Sequence, residues 1–129
     1  MADPEQQLQE VLNTCSTVKE LKASFQDVKQ HRYVFEMGPE QTSTNFTNSH
    51  LSHPECFAAP PITLTSVEAR VAITLHYIGR NLAGHPGIVH GGVIATIIDE
   101  CSGQAAKTHF QNLHAKCESC LDFHWRGGR

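Results

Sequence analysis

Apolar positions divide the chain into segments of different period. Leu8, Val11, Leu12, Cys15, Val18, Leu21, Phe25 and Val28 recur at spacings of three and four, the period of an amphipathic helix. Asp3-Pro4-Glu5 supplies a start, with Asp3 in the cap position, Pro4 at the first helical position and an acid in the first turn. The pattern predicts one covering helix, or two short ones broken near Asn13-Thr14. Residues 38–56 are polar, rich in Ser, Thr and Asn and without periodicity, and read as a loop. Then Val67, Ala69, Val71, Ile73, Leu75 and Tyr77 alternate with Glu68, Arg70, Ala72, Thr74 and His76, which predicts a long, half-buried strand over 67–77. A shorter strand over 62–65 precedes it. Breaker-rich Gly79-Arg80-Asn81-Leu82-Ala83-Gly84-His85-Pro86-Gly87 feeds Ile88-Val89-His90-Gly91-Gly92, and an apolar helix follows from about 93 to 107.

That last helix has two unlike faces. At 100° per residue, Val93, Ile94, Ile97, Ile98, Cys101 and Ala105 share a side suited to a sheet. Asp99 lies almost opposite, among Gly92, Ala95, Ser102, Gly103 and Ala106. A carboxylate in a row of small residues is unlike an ordinary solvated face, and small residues let another backbone approach closely.

Composition limits the functions open to such a chain. The 129 residues carry 10 basic and 13 acidic side chains, a net charge of −3, with no polybasic surface for nucleic acid. Hydrophobic residues at 40% suffice for a core, and no apolar run reaches the roughly 20 residues of a membrane span. The start lacks the basic flank and apolar centre of a secretion signal, so the expected setting is soluble and intracellular, cytoplasmic with mitochondrial as the other possibility. Asn45-Phe46-Thr47 has the spacing of a glycosylation acceptor, but in that setting the triplet reads as chance. Five scattered cysteines (15, 56, 101, 117 and 120) read as thiols.

The chemistry concentrates in Asn81-x8-His90-Gly91-Gly92-x6-Asp99. Glycines at a helix entry leave N–H groups unobstructed at its positive end, where negative charge is stabilised. A tetrahedral oxyanion formed from a thioester or ester needs such donors, each worth roughly 3 kcal/mol. It also needs a base or nucleophile, and Asp99 is the acid on the non-core face. Asp99 lies about 10 Å along the axis from Gly92 at 1.5 Å per residue. Both must reach one carbonyl within about 3 Å, so the two parts of the site are expected from two antiparallel copies of the helix. The spacing therefore predicts a homodimer.

The run from Gly87 to Glu100, Gly-Ile-Val-His-Gly-Gly-Val-Ile-Ala-Thr-Ile-Ile-Asp-Glu, resembles the signature of hotdog-fold acyl-CoA thioesterases of the His-Gly-Gly type, in the phenylacetate-degradation-like branch of the thioesterase superfamily. The resemblance covers about 57–107. It implies an α+β hotdog fold, an antiparallel sheet wrapped around a long central helix. It also implies an acyl-CoA substrate, no cofactor and a homodimer or tetramer. Asp99 matches the general base or nucleophile, Gly91 the backbone oxyanion donor and His90 the loop residue positioning the thioester, while Asn81 aligns with an asparagine orienting substrate or water. Val89, Gly92 and Thr96 fall on substrate-facing positions of the motif, with Arg80 the candidate for the CoA phosphates. A non-catalytic acyl- or CoA-binding or scaffold domain of the same fold is the alternative reading.

Domain boundaries follow from that coverage: an N-terminal helical and polar-loop extension over 1–56 and a partial hotdog domain over 57–129. A hotdog sheet continues with about three long strands after its helix, whereas the tail here offers at best a short one over 120–125, as expected of a shortened splice form or of a mis-assembled or frame-shifted end of a normal gene. An inactive truncated isoform is a further alternative to the thioesterase reading. His109-x4-His114-x2-Cys117-x2-Cys120-x3-His124 has enough soft ligands for a tetrahedral zinc site, but the run is compressed, and no metal is assigned.

Overall fold

The computed structural model describes residues 3–32 and 39–109. Two helices open the chain, α1 over Pro4–Thr14 and α2 over Ser16–Ser24, separated at Cys15, whose backbone is extended. The break predicted near Asn13-Thr14 is thus present. Pro4 begins α1 as expected, but the Asp3 side chain makes no cap hydrogen bond, and its carbonyl instead accepts from the Gln7 N–H.

A three-stranded antiparallel sheet follows, ordered β1 (Lys29–His31), β2 (Ile62–Ser66) and β3 (Val71–Leu75). The register pairs Ile62 with Leu75 and Leu64 with Ile73, and on the alternate positions Thr63 with Thr74 and Thr65 with Ala72. The two faces are therefore chemically distinct. Ile62 and Leu64, fully shielded from solvent, pack with Leu8, Leu12, Val18 and Ala59, and Ile73, Leu75 and Tyr77 close the cluster. Burial of such side chains contributes about 1.5–3 kcal/mol each. The segment expected as an extension thus places Leu8, Leu12 and Val18 in the same core as β2.

The eleven-residue strand predicted over 67–77 is corrected to five residues. The chain turns between Ser66 and Val71, with Arg70 in the left-handed region at φ 55°. Asp27 holds the turn: it accepts from Ser66 Oγ at 2.6 Å and from the Glu68 N–H at 3.0 Å. These bonds outweigh the period-two pattern by giving the turn's polar groups partners that a straight strand would leave elsewhere. The loop read over 38–56 is also corrected, since it contains α3 (Pro39–Thr44) and a π-helical turn, Phe46–His50. Asn45 of the glycosylation triplet caps that turn, its Oδ1 accepting from the N–H groups of Thr47 and Asn48.

Beyond a 3-10 turn at Arg80–Leu82, a short hairpin joins β4 (Ala83–His85) to β5 (Ile88–Val89). Its tip is Pro86-Gly87, and Gly87 sits at φ 76°, the left-handed position after proline that a type II turn gives to glycine. The long helix α4 then runs Gly91–His109 and lies on the threonine face of the sheet, where Thr74 Oγ1 donates to Cys101 Sγ at 3.4 Å. The architecture is mixed α+β, with helices on both faces of a small antiparallel sheet. Among the described residues no helix is long and apolar enough to cross a membrane. The compressed Cys/His run beyond His109 and the short strand over 120–125 lie outside the described residues.

Candidate functional site

His90 governs how α4 begins. Its carbonyl accepts from the N–H groups of Val93 (2.9 Å) and Ile94 (3.2 Å), and its Nδ1 accepts from the Gly92 N–H at 2.8 Å. The imidazole thus uses Nδ1 as an acceptor that caps the first turn of the helix. His90 is itself fixed from behind, its N–H donating to the Leu82 carbonyl at 2.8 Å and its Cα lying 3.2 Å from where a side chain at Gly84 would begin. The β4–β5 hairpin therefore sets the helix start.

The two glycines are not equivalent. A Cβ at Gly92 would meet the His90 ring at 3.0 Å, whereas a Cβ at Gly91 would meet nothing within 4 Å. Gly91 also lacks the positive φ that would demand glycine. Among the described residues nothing requires the absence of a side chain there.

The remaining predicted residues fall around this start. Gly92, Ala95, Asp99 and Ala106 are exposed and Ser102 and Gly103 half-buried, so the small-residue face of α4 is uncovered among the described residues. Thr96 donates its hydroxyl to the Gly92 carbonyl at 2.8 Å, and Val89 is half-buried in β5. Asn81 is exposed, with its backbone N–H donating to the Glu55 carbonyl at 3.0 Å. Arg80 is held by Glu55, Nε to Oε2 at 2.7 Å. That pair lowers the Glu55 pKa and raises that of Arg80. Among the described residues Asn81, His90 and Asp99 make no hydrogen bonds to one another, and Asp99 stands about 12 Å along the axis from Gly91 at 1.5 Å per residue.

A second constellation lies on the other side of α4, and the sequence reading did not find it. Thr47, Phe57, Ala59, Pro61, His76 and Glu100 line a cavity of about 150 Å³. Both ring nitrogens of His76 are shut off from solvent without a hydrogen-bond partner, and burial pushes its pKa down to about 4. Its ring lies 5.1 Å from that of Phe57, tilted by 47°. Burial raises the Glu100 pKa, the Thr47 bond opposes that rise, and the neighbouring Asp99 charge adds to it. His76 was read as a polar tooth of an alternating strand and Glu100 as the end of a motif, and neither position stands out without the 45–57 segment folded over it. Among the described residues no cluster of His, Cys, Asp or Glu is arranged to hold a metal ion.

Comparisons with known proteins give one partial likeness. The chain is 32% identical over 57 residues to an uncharacterized mitochondrial membrane protein of Saccharomyces cerevisiae, FMP10, a stretch covering 44% of this chain and 23% of that protein. The chain thus spans about a quarter of the length of the curated relative it matches. No protein family matches the chain, and no solved structure matches it.

Proposed function

We propose that the chain is a hotdog-type acyl-CoA thioesterase protomer whose site forms between two antiparallel copies of α4. The carrying observation is Gly91: it sits at the mouth of a long helix with open space where a side chain would be, and among the described residues no packing or backbone demand explains it. An outside group is what that space admits. The exposed face of small residues around Asp99 supports the same reading, because it lets a second helix approach closely. The packing of α4 on an antiparallel sheet supports the hotdog assignment.

In this mechanism the thioester carbonyl oxygen lies against the Gly91 N–H of one protomer, with Asp99 of the other beside the carbonyl carbon. As general base, Asp99 takes a proton from water while the water oxygen bonds to that carbon. The oxyanion is stabilised by the backbone donor and the helix end. Collapse breaks the C–S bond, and the departing thiolate takes a proton, giving free acid and CoA thiol. As nucleophile, Asp99 would instead form an anhydride that water then opens. His90 contributes by holding the helix start. Arg80 would reach a CoA phosphate by exchanging its partner Glu55. A mitochondrial setting is part of the proposal, supported by the partial likeness to a mitochondrial membrane protein.

The test is thiol release from a panel of acyl-CoAs. Asp99→Ala is expected to lower turnover by at least about a hundredfold, the scale of a lost general base. Equal turnover in the variant would remove Asp99 from the mechanism. Binding of acyl-CoA with no turnover in the wild type would assign the chain to the non-catalytic alternative.

A further inference from the structure

The cavity beside Glu100 has no part in the proposed hydrolysis, yet it contains the most poorly satisfied side chain of the described structure. His76 follows the last residue of β3, and by strand alternation it belongs to the Thr74 side of the sheet, the side that carries α4. Two buried, unpartnered ring nitrogens are costly, because each has given up its bonds to water and gained none in return. Such an orphan beside a cavity is an opening for a ligand that brings the missing bond.

The charge state of the cavity narrows the ligand. Asn45 Oδ1 accepts from two backbone N–H groups and also lies 2.9 Å from the Thr47 hydroxyl. The same hydroxyl contacts the Glu100 carboxyl. Thr47 has one proton to donate and faces two acceptors, Asn45 Oδ1 and the Glu100 carboxyl. Burial raises the Glu100 pKa against the effect of the Thr47 bond, and burial also favours neutral His76. The apolar part of the wall is Phe57, Ala59, Pro60 and Pro61, and Asn48 and Ser52 complete the lining. A volume of this order holds a six-membered ring.

We propose that this cavity is a binding site for a small, uncharged, compact alcohol, with an apolar body against Phe57, Ala59 and Pro61 and its hydroxyl bonded to the His76 ring. A neutral imidazole has one donor and one acceptor, and a hydroxyl matches either. An ionised carboxylate of the same shape would bring a negative charge into a partly desolvated site beside the Glu100 carboxyl. The site is separate from the Asp99 face, and its test does not depend on hydrolysis.

Cyclohexanol is the probe and cyclohexanecarboxylate the charged control, both titrated into the full chain while the His76 ring nitrogens are followed by NMR. Cyclohexanol is expected to shift those nitrogens saturably, with a dissociation constant of about 1 mM, typical of so few atoms. Binding of the carboxylate is expected to be at least about tenfold weaker. His76→Phe keeps the ring volume and the contact with Phe57 and is expected to weaken cyclohexanol binding by at least about tenfold, with the folded amide spectrum retained. Absence of a saturable shift in the wild type overturns the proposal, as does equal binding of the carboxylate. Undiminished binding by folded His76→Phe overturns it too, and the comparison of the two ligands in the wild type stands even if the variant fails to fold.

Discussion

The N-terminal helices and α4 invert the usual relation between composition and burial. The short, mostly polar α1 and α2 bury Leu8, Leu12, Val18 and Leu21. The helix richest in Val and Ile leaves Val93, Ile94, Ile97 and Ile98 only half-buried, and its one fully buried described side chain is Gln104. The sheet explains the difference. α1 and α2 meet the Ile62–Leu64 face, whereas α4 meets the threonine face through Thr74 and Cys101. The apolar side chains of α4 are therefore covered only in part by the described residues. The first region has the character of a finished core, and the second that of a helix only partly covered by the described residues.

The largest effect that could break this contrast is a core truncation. Leu64→Ala is expected to cost about 3 kcal/mol of stability in urea unfolding, within the usual 2–5 for a fully buried leucine. Ile97→Ala on α4 is expected to cost about 1 kcal/mol in a dilute monomer, in proportion to its partial burial. Equal losses in the two variants at low concentration would mean that α4 is already sealed. A second copy on the small-residue face around Asp99 should leave the Ile97→Ala deficit independent of protein concentration, because Ile97 lies on the nearly opposite, sheet-facing side of the helix.

The buried histidine under α4 gives the next largest effect, and its sign is opposite to that of its neighbour. His76 has a folded value of about 4 against 6.5 unfolded. Its contribution is therefore complete above pH 6.5 and lost as pH falls through about 4, a span worth roughly 3 kcal/mol at 1.36 per unit. Glu100 is raised, so its contribution is complete below the unfolded 4.5 and lost as pH rises through the folded value. Unfolding midpoints measured from pH 7 to pH 4.5 should fall in the wild type, fall more steeply in Glu100→Gln and flatten in His76→Phe. A wild-type slope that His76→Phe leaves unchanged would assign the acid sensitivity to other groups. Glu5 and Asp27, both lowered by their hydrogen-bond partners, act only below their ordinary carboxylate values.

How much of this was legible in the sequence depended on whether the determining contacts were local. The helix break at Cys15, the strand at Ile62–Ser66 and the start of α4 follow from period and breakers within a few residues. The hairpin turn did not, because the group that fixes it, Asp27, lies 39 residues from Ser66. Period-two spacing simply ran on through Val67–Arg70. The π-helical turn was hidden in the same way, since a polar, aperiodic run gives no sign that Thr47 will meet Glu100, 53 residues away. For the candidate site, the motif located Gly91, His90 and Asp99, but not the use of His90 Nδ1 as a cap on Gly92. The cavity depends on three distant segments, and one sequence read by spacing cannot bring them together.

Two glycines sharpen the contrast at smaller scale. Gly79 belongs to the tight region: a Cβ there would lie 2.3 Å from the Glu55 carbonyl oxygen and 2.7 Å from that of Cys56. Both are backbone atoms and the Gly79 N–H already donates to the Cys56 carbonyl, so the strain has little room to relax. Gly79→Ala is expected to cost about 2 kcal/mol in thermal or urea unfolding, typical of forced overpacking. A neutral result would mean that the Glu55–Gly79 junction is loose, and that Arg80 and Asn81 are not held where they stand.

Gly91→Ala is the smallest expected effect on stability and the most discriminating. Beyond its own chain neighbours and helix backbone, no described atom lies within 4 Å of the added methyl, and the backbone needs no positive φ, so the change should leave stability within about 0.5 kcal/mol. Alanine also keeps the N–H that would donate to an oxyanion, so chemistry limited to that donor would survive. What the methyl removes is space at the mouth of α4. If a thioester carbonyl or a partner helix occupies that space, thiol release should fall by more than about tenfold while the unfolding curve stays in place, which is 1.4 kcal/mol or more of transition-state stabilisation. Full activity in Gly91→Ala would show that nothing approaches closely there, and would leave the exposed Asp99 face without the second half its chemistry requires.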